Sequence, residues 1–454
     1  MSRTARLVAT ILALAAPVQA FASPAEDAAK IRAIVGDPLG DAAPGCAVGV
    51  FKDGQTQFVS AGSAEIGARR APNGDTRYYS GSLAKQFTAL SITQLIVAGR
   101  VQEDDDVRKF IPEMPVRRTP ITVALLLHHT SGIPNSARML ALAGYDHVRD
   151  STRPGTMQLL FRYPAEAFPP GSTFEYSNGG YLLLSEIVER VSGQPFADYV
   201  QDHILKPIGM TRSTVLRGVM PDDANRALGY TPKDGGFVVN EDFPLFGGAG
   251  AMLLTINDLA KYHQDIVSAH RVWTPEVARR MTEGGRYADG SPVLQPRPGS
   301  TWGYASGLML SKDWVLHDGN FAGFQAVIAW LPDTTRGIAM LCNRGDVRPV
   351  ELATRIMAAI DPSLPVLDTS RYPLPGLAGR FGSETAGAVY EIRTAGADLE
   401  VTVSKPTGGT SSAWFERNAD GAFTNGPITL TFDPDHRGFV ASDASAAERF
   451  HRLP

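Results

Sequence analysis

The sequence predicts a mixed α/β fold of the α+β kind. It comprises an antiparallel sheet flanked by helices, an inserted all-helical lobe over about residues 86–295, and a small C-terminal antiparallel β-barrel or sandwich. Three observations carry this reading. Strand-like runs occur near the start of the chain and again after residue 300, so one lobe is built from discontinuous sequence. Between them the apolar residues follow a helical period broken by Pro/Gly loops. Beyond a proline-rich stretch at 361–375, short alternating segments with turn signals recur to the end.

In order, residues 25–35 form an amphipathic helix with Ile31, Ile34 and Val35, stopped by Gly36. Cys46–Phe51 reads as a strand, Lys52-Asp53-Gly54 as a turn and Thr56–Ala64 as the returning strand. A helix carrying Phe87, Leu90, Ile92, Leu95 and Ile96 closes at Gly99. Helices are expected at 180–191, 196–204 and 255–267, the last with Thr255 as cap. Then 303–310, 314–320, 324–331 and 337–342 read as consecutive strands, followed by a helix at 349–360. The C-terminal strands are expected at 389–394, 399–404, 413–416, 428–432 and 449–453. The expected domains are therefore a body at 23–362, a linker at 363–375 and a β domain at 376–454.

The N-terminus has Arg3 and Arg6, an apolar run from Leu7 to Ala16, and small-residue sites at Val18-Gln19-Ala20 and Ala20-Phe21-Ala22. That is the pattern of a secretory signal peptide at 1–22, and it implies a periplasmic or secreted protein with no integral membrane segment after its removal. The net charge is −4 and no dense Lys/Arg block occurs, so nucleic acid is not indicated as a partner. His128 and His129 are adjacent and diverge on any regular element, so no metal site is read there. Two cysteines, Cys46 and Cys342, are too few for a disulfide scaffold and fit no zinc spacing.

The chemistry concentrates in Tyr79-Ser80-Gly81-Ser82-Leu83-Ala84-Lys85. Residues three apart share a helix face, so the Ser82 hydroxyl and Lys85 amine project together at a helix N-terminus. A lysine whose pKa is lowered by burial can take a serine proton and make it a nucleophile. The same letters also suit a helix-capping serine and a solvated lysine. Reading back three places from each lysine, however, finds a serine only at Lys85. Tyr176-Ser177-Asn178 precedes the 180–191 helix, where Asn178 also suits a capping role; Tyr176 is the tyrosine with asparagine two residues on. A phenol near a lysine suits general acid–base work. His317-Asp318-Gly319-Asn320 is placed at the end of a strand, where a glycine lets substrate lie along the strand edge. The N–H groups of Asn320 and Ser82 can then form an oxyanion hole. Similar triplets at His436, Lys52 and Lys233 fall in the appended domain, a hairpin turn and a loop.

Ser-x-x-Lys, Tyr-x-Asn and His-x-Gly in this order resemble the penicillin-recognising serine hydrolases. That group holds class C β-lactamases, D-Ala-D-Ala carboxypeptidases, D-aminopeptidases and β-lactamase-like esterases. Leu127-His128-His129-Thr130-Ser131-Gly132, Pro207-Ile208-Gly209-Met210 and Gly247-Gly248-Ala249-Gly250 agree with it, and the likeness spans roughly residues 25–362. It implies a β-lactamase/transpeptidase-like fold and an acyl-enzyme on Ser82. Lys85 and Tyr176 would share the proton traffic, and Asn178, His317, Gly319 and Asn320 would bind substrate. No cofactor or metal is implied, and the partner is a small-molecule or peptide substrate.

β-Lactamases of this type usually carry lysine where His317 stands, and histidine is largely neutral at pH 7. The reading therefore favours a D-amino-acid peptide or amide, or a small ester, over a β-lactam or a D-Ala-D-Ala peptide. A catalytically silent cell-wall-binding protein on the same fold is the alternative of another class. No Gly-x-Ser-x-Gly elbow supports an α/β-hydrolase. The resemblance also places the strands of Cys46 and Cys342 side by side and antiparallel. The two thiols are then neighbours, either bonded or buried and unpaired.

Overall fold

The computed structural model of the protein describes residues 24–453 apart from 37–39, 146, 164–166, 234, 295–301, 333, 367–376, 396–397, 418–421, 427, 434 and 444–445. The expected signal peptide at 1–22 and positions 367–375 of the expected linker lie outside the described residues.

Helix α1 (Pro24–Val35) leads into the hairpin β1 (Cys46–Lys52) and β2 (Gln55–Ala61), then the short strand β3 (Tyr78–Tyr79). The inserted lobe begins with α2 (Ala84–Val97), α3 (Val123–Leu127), α4 (Ser136–Leu142), α5 (Arg153–Arg162), α6 (Asn178–Ser192), α7 (Phe196–Val200) and the turn α8 (Lys206–Ile208). It continues through β4 (Thr214–Val215), β5 (Tyr230–Lys233), β6 (Gly236–Val239) and β7 (Met252–Leu254) to α9 (Ile256–Gln264) and α10 (Pro275–Thr282). The chain then returns through β8 (Gly303–Tyr304), β9 (Met309–Leu310), β10 (Val315–Phe321), β11 (Phe324–Trp330), β12 (Gly337–Cys342) and α11 (Pro349–Ile360).

The main sheet is antiparallel with strand order β2-β1-β12-β11-β10-β9-β8, so the two ends of the body pair at its centre. Both faces are buried. Ala47, Ala326, Ile328 and Leu341 face the inserted lobe, while Val48, Val327, Met340 and Cys342 face the layer of α1 and α11. Strands covered on both faces read as continuous apolar runs, and β11 and β12 do. Cys46 and Cys342 stand opposite each other with Cα atoms 4.0 Å apart and form a disulfide. Asn343 N–H donates to the Gly45 carbonyl one step along, which makes the cysteines a closely spaced, non-hydrogen-bonded pair.

The lobe expected as all-helical also carries β4–β7. Strands β3, β7 and β4 form one small sheet, and β5 and β6 a hairpin. These strands have two to four residues, too short to show a period of two. The strand expected over 303–310 is two short ones, β8 and β9, separated by a turn at Gly307, whose φ is +69°. The 196–204 and 255–267 helices each run into a π-helical turn.

The C-terminal segment is a barrel rather than a sandwich. Strands β13 (Gly379–Ser383), β14 (Ala388–Ala395), β15 (Asp398–Ser404), β16 (Thr410–Arg417), β17 (Phe423–Asn425), β18 (Ile428–Phe432), β19 (Gly438–Ser442) and β20 (Ala447–Arg452) pair in sequence, and β13 pairs with β20. Its interior is filled by Phe381, Phe415, Phe423, Phe439 and Phe450. The barrel leans on the body where the Arg348 guanidinium lies 4.6 Å from the centre of the Trp414 ring. No helix among the described residues is long and apolar enough to cross a membrane.

Candidate active site

Ser82 sits in a single 3-10 turn, Gly81–Leu83, between β3 and α2. β3 is held by β7, and Ser80 N–H donates to the Met252 carbonyl, so the turn starts from a fixed strand. Gly81 has φ +52°, and a Cβ there would lie 2.9 Å from Asn320 N. Gly319 is tighter still: a Cβ would lie 2.1 Å from the Ser80 carbonyl oxygen and 3.1 Å from Ser82 N. The two glycines let the turn and β10 touch backbone to backbone. The hairpin register pairs Asn320 with Gln325, one step from the closing pair Phe321–Phe324. Asn320 N–H therefore points away from β11, towards the free edge of the sheet beside Ser82.

Helix α2 is buried on nearly every side, and Lys85 is fully buried in its first turn. The Lys85 Nζ is 3.1 Å from Ser82 Oγ, 2.7 Å from Asn178 Oδ1 and 2.7 Å from the Ala249 carbonyl oxygen. Burial pushes its pKa well below the ordinary lysine value, with the Asp318 carboxylate opposing in part. Asn178 is not the helix cap. Ser177 caps α6 by accepting from Gly180 N–H, and this leaves the Asn178 amide to reach Lys85 and, at 3.4 Å, Asn135 Oδ1. The Tyr176 ring lies with its centre 4.7 Å from Lys85 Nζ and 4.3 Å from the His129 ring centre.

His317 lies in mid-strand rather than at a strand end, and its side chain is fully buried. Both of its ring nitrogens have protein partners. Nδ1 is 2.6 Å from the Asp318 carbonyl oxygen, and Nε2 is 3.1 Å from the Tyr304 hydroxyl. A carbonyl can only accept, so Nδ1 carries the proton and Nε2 of the neutral ring accepts from Tyr304. The Tyr304 hydroxyl in turn is 3.1 Å from His129 Nε2, while His129 Nδ1 accepts from Ser177 N–H. The result is one directed chain: Ser177 N–H to His129, His129 to Tyr304, Tyr304 to His317, His317 to the Asp318 carbonyl. Burial keeps both histidines neutral, pushing the His317 pKa down to about 4 and that of His129 well below its usual value.

Sequence reasoning missed His129, Tyr304, Asn135 and the Ala249 carbonyl. His129 had a signal of a kind in the sequence, because it lies within the Leu-His-His-Thr-Ser-Gly run; in the structure it takes φ +58°, rare for a non-glycine residue. Among the described residues no group of three or more His, Cys, Asp or Glu could hold a metal.

The Beta-lactamase family matches the chain over residues 29–361. Protein flp of Staphylococcus aureus (strain MW2) is 27% identical over 312 residues, covering 66% of this chain. The chain spans only 59% of that relative's length. Among solved structures, the octameric penicillin-binding protein homologue from Pyrococcus abyssi superposes with a TM-score of 0.66 at 24% identity. It covers 94% of this chain and 97% of its own, so the likeness in fold extends through the barrel. A D-amino acid amidase from Ochrobactrum anthropi SV3 gives a TM-score of 0.59 at 22% identity, covering 74% of this chain and 99% of its own.

Proposed function

Because the chain belongs to the Beta-lactamase family, we propose that this serine hydrolase works through an acyl-enzyme on Ser82 and cleaves an ester or amide. The substrate class is a D-amino-acid-containing peptide or amide, or a small ester. The observation that carries the reading is the environment of Lys85. A neutral amine has two N–H donors and one lone pair. Asn178 Oδ1 and the Ala249 carbonyl can only accept, so they take the two donors. The lone pair is left for the Ser82 hydroxyl at 3.1 Å.

Lys85 takes the hydroxyl proton as Ser82 Oγ attacks the substrate carbonyl carbon. The N–H groups of Ser82 and Asn320 stabilise the oxyanion, and Gly319 permits their approach. The C–O or C–N bond to the leaving group breaks as Tyr176 gives that group its phenol proton, and Lys85 passes the proton taken from Ser82 on to Tyr176. Water then hydrolyses the acyl ester and restores Ser82. Asn178 holds the lysine and meets the substrate amide. His317 acts from behind, fixing β10 through its bond to the Asp318 carbonyl.

The test is Ser82→Ala. It should abolish both fluorophosphonate labelling and p-nitrophenyl ester turnover, and labelling that persists in the variant would overturn the assignment. We also propose that the protein is exported to the periplasm or medium. The signal-like N-terminus and the Cys46–Cys342 disulfide support this, because such bonds persist in oxidising compartments. N-terminal sequencing of the mature chain should begin after Ala20 or Ala22; an unprocessed Met1 on exported material would contradict it.

A further inference from the structure

The cleft beside Ser82 has a chemical character that the catalytic groups do not explain. It spans about 500 Å³, the open solvent at its mouth included. Beyond Ser82 and Asn178 its walls are largely apolar: Leu140 from α4, Val148, Leu182 from α6, Phe246 and Phe321. Of the other hydroxyls that border it, those of Tyr79 and Thr156 are engaged with protein, and Ser136 adds one more uncharged group. The Tyr79 hydroxyl donates to the Pro244 carbonyl and accepts from Ala251 N–H, and the Thr156 hydroxyl donates to the Thr152 carbonyl. Among the described lining residues none is ionised.

Two nearby arginines have partners elsewhere. Arg153 is paired with Glu186 and Glu189 at 2.9 and 3.2 Å, and Arg138, largely exposed on α4, pairs with Glu175 at 3.5 Å. Burial disfavours the charged form of Lys85. The charge that remains is the carboxylate of Asp318, which lies outside the lining opposite Val327 on β11 and reaches the site through its field, as its opposing effect on Lys85 shows. A substrate carboxylate beside the scissile bond would find no cation among the lining residues and would lie in the field of one like charge.

Resting on the Ser82 reading, we propose that this cleft is an acyl pocket for a neutral, apolar acyl group. Asp318 selects against substrates that carry a carboxylate next to the bond being cleaved. The substrate class is then a neutral ester or amide of a medium-length aliphatic or aromatic acid, rather than a β-lactam or a peptide ending in a free D-amino acid.

The experiment measures kcat/KM of the full chain on p-nitrophenyl acetate, butyrate, hexanoate and octanoate, and on nitrocefin. Fluorophosphonate labelling of Ser82 runs in parallel. The rate should rise from acetate by roughly fourfold per methylene until the pocket is filled, and nitrocefin should fall at least 100-fold below the best ester. Val148→Trp, a half-buried position, should lower the hexanoate-to-acetate ratio about tenfold. Asp318→Asn should raise the nitrocefin-to-butyrate ratio on the order of tenfold. A flat or falling chain-length series in the labelled wild-type enzyme overturns the pocket while leaving Ser82 intact. Absence of labelling overturns the Ser82 reading itself. An Asp318→Asn ratio equal to wild type overturns the part assigned to Asp318. Should Val148→Trp fail to fold, the wild-type series decides alone.

Discussion

Lys85 is a cation in water, and this site withholds what a cation requires. It meets two neutral carbonyl-type acceptors and a hydroxyl, with full burial and no contacting carboxylate. The sign of the pH dependence follows. The reactive amine is the neutral form, so acylation should be lost as pH falls through the lowered Lys85 pKa and level off above it. Ester kcat/KM measured against pH should show that acid limb. Lys85→Arg, which keeps its charge at every working pH, should fall by about 10²–10⁴-fold without a limb. The histidine relay adds a stability effect. The His317 pKa is about 4 when folded, against the usual 6.5 when unfolded. Between those values the unfolded chain binds the proton and the folded chain does not. Stability is therefore full above about pH 6.5 and declines as pH falls towards 4, by roughly 3 kcal/mol from this residue. Tyr304→Phe removes the donor to His317 Nε2 and the acceptor for His129 Nε2. It should cost about 1–3 kcal/mol in denaturant unfolding at pH 7.

Strand β10 is the element where packing and chemistry meet, because the nucleophile turn rests directly on it. Gly319→Ala would put a methyl group 2.1 Å from the Ser80 carbonyl oxygen, a backbone atom that can move only if the turn moves. A displacement of about 1 Å at a reacting group costs on the order of 10²-fold in rate. Fluorophosphonate labelling should slow by at least that much while the far-ultraviolet circular dichroism stays near wild type. Elements of this length were legible in the sequence: β1, β10, β11, β12, α6 and α11 fall within a residue or two of their apolar runs. β13, β17 and β19 were not. Gly379-Arg380-Phe381-Gly382-Ser383, for instance, shows one large apolar residue between two glycines and becomes a strand only because both neighbours pair with it. The site divides the same way. Ser82 and Lys85 lie one turn apart on a helix, and Asn178 follows the tyrosine by two, so local spacing exposes them. The Ala249 carbonyl has no side-chain signature at all. Tyr304 lies 175 residues from His129, so the relay exists only once the body has closed.

At the scale of the whole molecule, the body is held shut at one place. β1 and β12 come from opposite ends of it and carry the inserted lobe between them, with α1 and α11 packed together behind them. The pairing of Cys46 with Cys342 falls on this seam and closes a loop with a sequence separation of 296. In the unfolded chain such a link removes a large loop-closure entropy, and removing native disulfides commonly costs 2–5 kcal/mol, although the entropic origin is model-dependent. Two thiols bonded in the sheet leave none to titrate, so a thiol assay on the denaturant-unfolded, unreduced protein should read close to zero. It should read two per chain after reduction. Reduction, or the double variant Cys46→Ala/Cys342→Ala, should lower unfolding stability by roughly 2–5 kcal/mol. The bond lies among Val48, Val327 and Met340, on the sheet face turned away from the inserted lobe and Ser82. Ester turnover of the reduced protein should therefore stay within about twofold of the oxidised form at temperatures where both remain folded, since stabilities of distant sites act independently. Equal unfolding curves before and after reduction, with two thiols exposed, would show that the seam is held by strand pairing and packing alone.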